Sequence, residues 1–192
     1  MDKRCGWVNE DPLYINYHDH EWGVPVFDDQ TLFEFLILEG AQAGLSWYTV
    51  LKKRENYREA LDNFEIDKIA NYPLEKIEEL IQNEGLIRHR GKLTSVITNA
   101  QAFQQLQKEY GSFSTYLWGY VDGEPIVNRW ESLSEVPTKT GLSDQISKDL
   151  KKRGFKFIGT TIMYAYLQAT GVVNDHLRDC ICSIEQNAEV SS

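Results

Sequence analysis

Residues 150–176 read LKKRGFKFIGTTIMYAYLQATGVVNDH. A basic end, Leu150-Lys151-Lys152-Arg153, runs into Gly154. The segment FKFI is bracketed by Gly154 and Gly159, and an apolar stretch follows to Thr170. Glycines at both borders of so short a segment predict a tight connection between two helices. The first helix is expected from Ser143 through Lys152 and the second from Phe157 to Thr170. Backbone amides at the start of the second helix, with Lys152, Arg153 and Lys156 nearby, suit a phosphate. A plain interhelical turn would carry the same glycines, so this pattern alone specifies a helix pair and no ligand.

Helical periodicity continues outward from this pair. Asp28 and Asp29 are N-cap candidates for a helix through about Glu39, with Leu32, Phe33, Leu36 and Ile37 at helical spacing. Ser46 can cap the next, whose apolar positions are Val50, Leu51, Tyr57 and Leu61. Pro73 suits a helix start before Ile77, Leu80 and Ile81. A longer helix is predicted from Lys92 to Glu109, burying Leu93, Val96, Ile97, Ala100 and Phe103. Residues 124–127 are the best strand candidate, and a short one. The expected fold is all-α, one unit or two closely packed helical lobes over residues 1–183. The polar residues 184–192 are expected to fray as a disordered tail.

Composition narrows the class. The 192 residues are 42% hydrophobic, enough for a packed core and against disorder. No apolar stretch approaches the roughly 20 residues of a membrane helix. The start, MDKRCGWVNEDP, lacks the apolar region of a signal peptide, and three cysteines do not suggest a disulfide framework. A cytoplasmic protein is expected. With 20 basic and 29 acidic residues the formal charge is −9, which argues against a general nucleic-acid binder. The basic residues are clustered, however, at Lys52-Lys53-Arg54, at Arg88-His89-Arg90 with Lys92, and at Lys151-Lys152-Arg153 with Lys156. A phosphate feels charges within roughly 8 Å in physiological salt, so local clusters outweigh the total.

Two features invite chemistry. In FLILEGAQAGLSW, residues 35–47, an apolar helix runs directly into Glu39, and burying a carboxylate without a partner is costly. The aromatic residues Trp7, Tyr14, Tyr17, Trp22 and Trp47 can wall a pocket around it. The intervening turn, with Gly44 and Leu45, can present an apolar side chain, although Leu45 reads equally well as core. The second feature is split between the chain ends. His176 and Cys180 are four apart, one helix face if that segment is helical, and Cys5 and His18 lie near the start. Two thiolates and two imidazoles make a closed tetrahedral zinc site, structural rather than catalytic. Spacing leaves His20 and Cys182 as rival ligands.

Taken together, RCGWV (4–8), DPLYINYHDHEWGVP (11–25), LEGAQAGLSWYTVLKKRENYR (38–58), IRHRGKL (87–93), LKKRGFKFIGTTI from Leu150 and GVVNDHLRDC to Cys180 resemble the 3-methyladenine DNA glycosylase I family. That family belongs to the helix-hairpin-helix DNA glycosylase superfamily; residues 109–140 match it only loosely. The resemblance implies an all-α fold with a DNA-binding hairpin and a base pocket between helices. It implies one structural zinc on Cys5, His18, His176 and Cys180. It places Glu39, Tyr17 and Trp47 in the base pocket, with Trp7 adjoining. The implied activity is hydrolysis of 3-methyladenine from double-stranded alkylated DNA by a monomer, with the free base as product. Many superfamily relatives carry a catalytic aspartate two residues before a histidine; here Asn174 stands there and Asp175 follows. Bifunctional relatives carry a hairpin lysine, matched here by Thr160. Both differences imply a monofunctional enzyme that uses water, with Glu39 as its principal acting residue. A rival reading is a zinc-stabilised module that binds a purine or methylated DNA without hydrolysis.

Overall fold

Side-chain caps open the helices where the sequence supplies short polar residues. The structure, a computed structural model, describes residues 3–183; the tail expected at 184–192 lies outside them. Asp11 caps α1 (Pro12–His20), with proline at its first position. Asp28 caps α2 (Asp29–Ala41) by accepting from the Thr31 amide at 2.9 Å. Ser46 caps α3 (Trp47–Leu51). The expected continuation of that helix is instead a separate α4 (Arg54–Ala60). The break falls at Lys52 and Lys53, the C-cap of α3 and the N-cap of α4.

Next come α5 (Ile66–Ala70), α6 (Leu74–Gln82) after Pro73, α7 (Arg90–Tyr110) and α8 (Phe113–Gly119). Thr140, not Ser143, caps α9 (Gly141–Lys152); Ser143 sits inside the helix and closes a capping box with it. The last helix, α10 (Thr160–Ala169), starts later than expected because Phe157 adopts φ +55° and stays in the connection. Helices α1, α5 and α8 escape sequence reading. They are short, and α1 alternates aromatic and polar residues without an apolar stripe.

From Leu32 to Ala41 every residue of α2 is buried, the mark of a helix surrounded on all sides. It packs against α10, α7, α8 and α3. One continuous apolar cluster runs through the described residues. Two short strands, β1 (Ile126–Val127) and β2 (Val173–Asn174), pair in parallel with Ile126 opposite Val173. The two ends of the described chain also meet: the Ile181 amide donates to the Lys3 carbonyl at 2.9 Å. Among the described residues no helix is long and apolar enough to cross a membrane.

Candidate functional site: an aromatic cavity around a buried carboxylate

Two glutamates of α2 are buried. Glu34 accepts from Arg54 Nε at 2.6 Å and Arg58 Nε at 2.9 Å, so its charge is answered inside the fold. Glu39 is 3% exposed, and among the described residues none of the hydrogen bonds or ion pairs involves its carboxylate. Burial pushes its pKa up from 4.5 to about 8. It opens into a cavity of about 190 Å³ walled by Trp7, Tyr14, Tyr17, Trp22 and Trp47. All five predicted aromatic residues therefore converge on one space. Tyr17 and Trp47 stand 5.4 Å apart between ring centroids, and Trp7 packs on Tyr14 at 5.1 Å and Trp22 at 4.9 Å. The Trp47 indole nitrogen is a buried donor without an acceptor. The cavity thus offers one unanswered acceptor and one unanswered donor between aromatic faces.

Its remaining lining was not legible in the sequence. Gln42, Leu133, Val136, Ala165, Gln168 and Asp175 complete the wall. Leu133 and Val136 come from the segment that carries no clear helical pattern. Asp175 is 1% exposed and accepts from Asn128 Nδ2 at 2.7 Å, Trp130 Nε1 at 2.9 Å, Gln168 Nε2 at 2.8 Å and the Tyr164 hydroxyl. A carboxylate has about four acceptor sites, so these donors fill it and leave none for activating a water. The Asn174 side chain accepts from the His176 amide and faces the chain rather than the cavity chemistry.

Behind Trp22 lies the second cluster. Cys5, His18, His176 and Cys180 are all buried, with their ligand atoms within 4.8 Å of one another. Cys180 Sγ is 3.5 Å from both His18 Nε2 and His176 Nδ1, and Cys5 Sγ is 3.8 Å from His176 Nδ1. Metal–ligand bonds of about 2.3 Å for sulfur and 2.0 Å for nitrogen give a tetrahedron with S···N edges of about 3.5 Å. The other ring nitrogens are held as metal-bound imidazoles require: His18 Nδ1 lies 2.7 Å from Asp19 and His176 Nε2 lies 2.8 Å from the Trp22 carbonyl. The group can therefore hold a metal ion, with all four positions closed. Residues 176–180 form a turn rather than a helix, so the helix-face argument for His176 and Cys180 does not apply. Of the rivals, His20 is exposed, and Cys182 lies beside Asp19 and the outward Nδ1 of His18.

Helix α9 ends in a Schellman motif, which opens the connection to α10. The Phe155 amide reaches the Leu150 carbonyl and the Gly154 amide the Lys151 carbonyl, both at 3.1 Å, with Gly154 at φ +93°. Lys152 and Lys156 are exposed and form no ion pair among the described residues; Lys148 and Lys151 behave likewise. Lys148, Lys151 and Lys152 line a recess with Asp144, Ser147 and Thr160 beside the Gly159 start of α10. The Thr160 hydroxyl lies 2.8 Å from that of Ser143. Arg153, grouped with these lysines from the sequence, is instead engaged within the molecule. It bonds Asp149 at 2.8 Å and Glu109 at 2.6 Å and lies over the Tyr110 and Tyr116 rings. In the turn after α2, Gly44 adopts φ +78° and Leu45 is 41% exposed, so Leu45 is not core.

A family model described as methyladenine glycosylase matches residues 7–183. The chain is 54% identical over 180 residues to DNA-3-methyladenine glycosylase 1 of Escherichia coli (strain K12), covering 94% of this chain and 96% of that protein. A solved structure of 3-methyladenine DNA glycosylase I superposes with a TM-score of 0.92 at 53% identity, covering 94% of this chain and all of that one. A tyrosine-to-phenylalanine variant of 3-methyladenine DNA glycosylase I, solved in complex with 3-methyladenine, superposes with a TM-score of 0.91 at 41% identity, covering 94% of this chain and 97% of the other. With the family model spanning nearly every described residue, the chain belongs to the methyladenine glycosylase family.

Proposed function

We propose that this protein repairs alkylated DNA by hydrolysing the N-glycosidic bond of 3-methyladenine, releasing the free base and leaving an abasic site. One observation carries the reading: Glu39 is a buried carboxylate without a protein partner inside a cavity of aromatic rings. Its complement is a flat, cationic, hydrogen-bond-donating ligand, and 3-methyladenine in DNA is one. A desolvated cation over an aromatic face gains on the order of 2 kcal/mol, and a charge-assisted hydrogen bond to its exocyclic amine adds to this. Neutral adenine gains less from either, which gives selectivity without a steric gate.

The extruded nucleotide enters the cavity with its base against Trp47 and Tyr17, and Trp7, Tyr14 and Trp22 close the walls. Burial favours the protonated form of Glu39 in the free protein, and the arriving cationic base favours the carboxylate, its proton passing to solvent. Water then bonds to the sugar C1′ as the bond to the base nitrogen breaks. The bonding pair returns to the base, which leaves neutral, and the water's second proton goes to solvent. A leaving group of this kind needs little acid catalysis, in keeping with an Asp175 that is fully occupied. We assign the protein as a monofunctional hydrolase acting chiefly by extrusion and charge complementarity.

The four-residue cluster suits one structural zinc per chain, since soft thiolates and imidazoles in a closed tetrahedron favour that ion. For DNA we propose that Gly154, Lys156, Gly159 and Thr160, with Lys152, hold backbone phosphate, and that Gly44 and Leu45 fill the gap left by the extruded base. Arg153 acts by bracing the hairpin. The working unit is a cytoplasmic monomer on double-stranded DNA, with residues 1–183 as one glycosylase domain.

The test is incubation with methylated duplex DNA and chromatography of the released bases. Release of 3-methyladenine is expected. Glu39→Gln should cut it at least tenfold while binding to abasic duplex persists. Tight binding with no base released would overturn the enzymatic reading in favour of a methylated-DNA binding module.

A further inference from the structure

Lysine 92 is misplaced by the usual rule. It sits in the first turn of α7 with Arg90 and no acidic residue, where the helix dipole disfavours a cation. Its ammonium group is directed to a different helix. Lys92 Nζ donates to the Ala41 carbonyl at 3.0 Å and the Ala43 carbonyl at 2.6 Å, at the C-terminal end of α2, where a cation is favoured. Neither carbonyl has another partner among the described residues. The same turn is closed by Gln42, whose side chain donates to the Leu45 carbonyl at 3.1 Å. Two turns further along α7, Asn99 is 3% exposed and pairs with the hairpin backbone. Its Oδ1 accepts from the Lys156 amide at 2.8 Å and its Nδ2 donates to the Lys156 carbonyl at 3.0 Å. Lys92 and Asn99 are seven residues apart, so both lie near one face, separated by roughly 10 Å along the axis. Between them Phe157 fills the space over two glycines. A β-carbon on Gly40 would meet Phe157 at 3.4 Å, and one on Gly91 would meet its ring at 3.6 Å.

We propose that α7 is the spacer that sets the distance between the two DNA-facing parts, with Lys92 and Asn99 as its positioning residues. Lys92 fixes the turn that presents Leu45, and Asn99 fixes the hairpin that grips phosphate. Neither residue touches DNA. The inference rests on the glycosylase reading above, because it takes the turn and the hairpin as the parts that meet the duplex.

The experiment compares binding to a duplex carrying a tetrahydrofuran abasic analogue with binding to free 3-methyladenine, followed by tryptophan fluorescence. Lys92→Met should weaken duplex binding about tenfold with the slope of log Kd against log salt unchanged, and should leave free-base affinity within twofold. Leu45→Ala should show a similar loss, and Lys92→Met should add nothing in that background. Asn99→Ala should weaken duplex binding in both the native and Leu45→Ala backgrounds. Retained free-base binding certifies that each variant is folded. A salt slope reduced by about one would make Lys92 a phosphate contact and overturn the proposal. So would unchanged duplex binding, or an equal loss of free-base binding. Failure of the native protein to release 3-methyladenine from methylated duplex would instead defeat the glycosylase reading, a result separable from all of these.

Discussion

Glu34 and Glu39 show how neighbouring buried carboxylates of one helix acquire different tasks. Glu34 meets two guanidinium groups and ties α2 to α4. Glu39 meets no such partner in its largely aromatic cavity, and burial raises its proton affinity. This has a consequence for stability. Below about pH 4.5 the folded and unfolded chains both hold the proton on Glu39, which then costs the folded state no ionisation. As pH rises toward 8 the unfolded chain ionises while the folded one resists, so stability falls across that window, by on the order of a few kcal/mol. Glu39→Gln removes the effect. The variant's Tm should exceed the native value by an amount that grows between pH 5 and pH 9, read by thermal melts. Parallel melting profiles across that range would contradict the unpartnered carboxylate. The buried and unpaired Trp47 indole N–H carries a similar cost in the free protein, on the order of 1–3 kcal/mol.

At the scale of elements, the hairpin separates two kinds of basic residue that the sequence presents as one run. Lys152→Ala should weaken binding to any duplex and lower the salt slope by about one. Arg153→Ala should leave the slope unchanged and lower Tm instead, because its partners Glu109 and Asp149 lie within the fold. Equal slopes for the two variants would remove the distinction. The same run marks the limit of legibility. Helices α6, α7, α9 and α10 could be read from spacing because each buries a regular stripe, and α2 from its Asp28 cap and the apolar run behind it. The turn at Phe157 could not, since a left-handed φ at a non-glycine residue is imposed by packing against Gly40 and Gly91. Glu39 and the aromatic residues were legible because a carboxylate interrupts an apolar run and four of the five aromatic residues fall within the first 22 positions. Asp175 and Leu133 were not, because the cavity brings together the segments after β2 and after β1, which are joined by the pairing of Ile126 with Val173 and Val127 with Asn174.

The whole molecule manages its charge by location. Much of the acidic excess is paired or sits on α6 and its neighbours, whereas the lysines of the hairpin recess stand without ion pairs among the described residues. A protein of net charge −9 can thus still present a cationic face to a phosphate backbone. The Cys/His cluster acts at the same scale. Trp22 stacks near His18, packs edge-on to His176 and also lines the cavity. With the proposed zinc in this cluster, chelation should therefore lower Tm and weaken free-base binding. Both should recover on adding one equivalent of zinc. Full base affinity in stripped protein would show the cavity to be independent of the cluster.

The closure of that cluster also imposes an order on biosynthesis. Cys5 and His18 leave the ribosome early, but their partners His176 and Cys180 are among the last described residues to be made. The early aromatic residues that wall the cavity wait with them. A nascent chain therefore holds this cluster, and the cavity wall that Trp22 shares with it, incomplete until residues 176–180 have emerged from the ribosome.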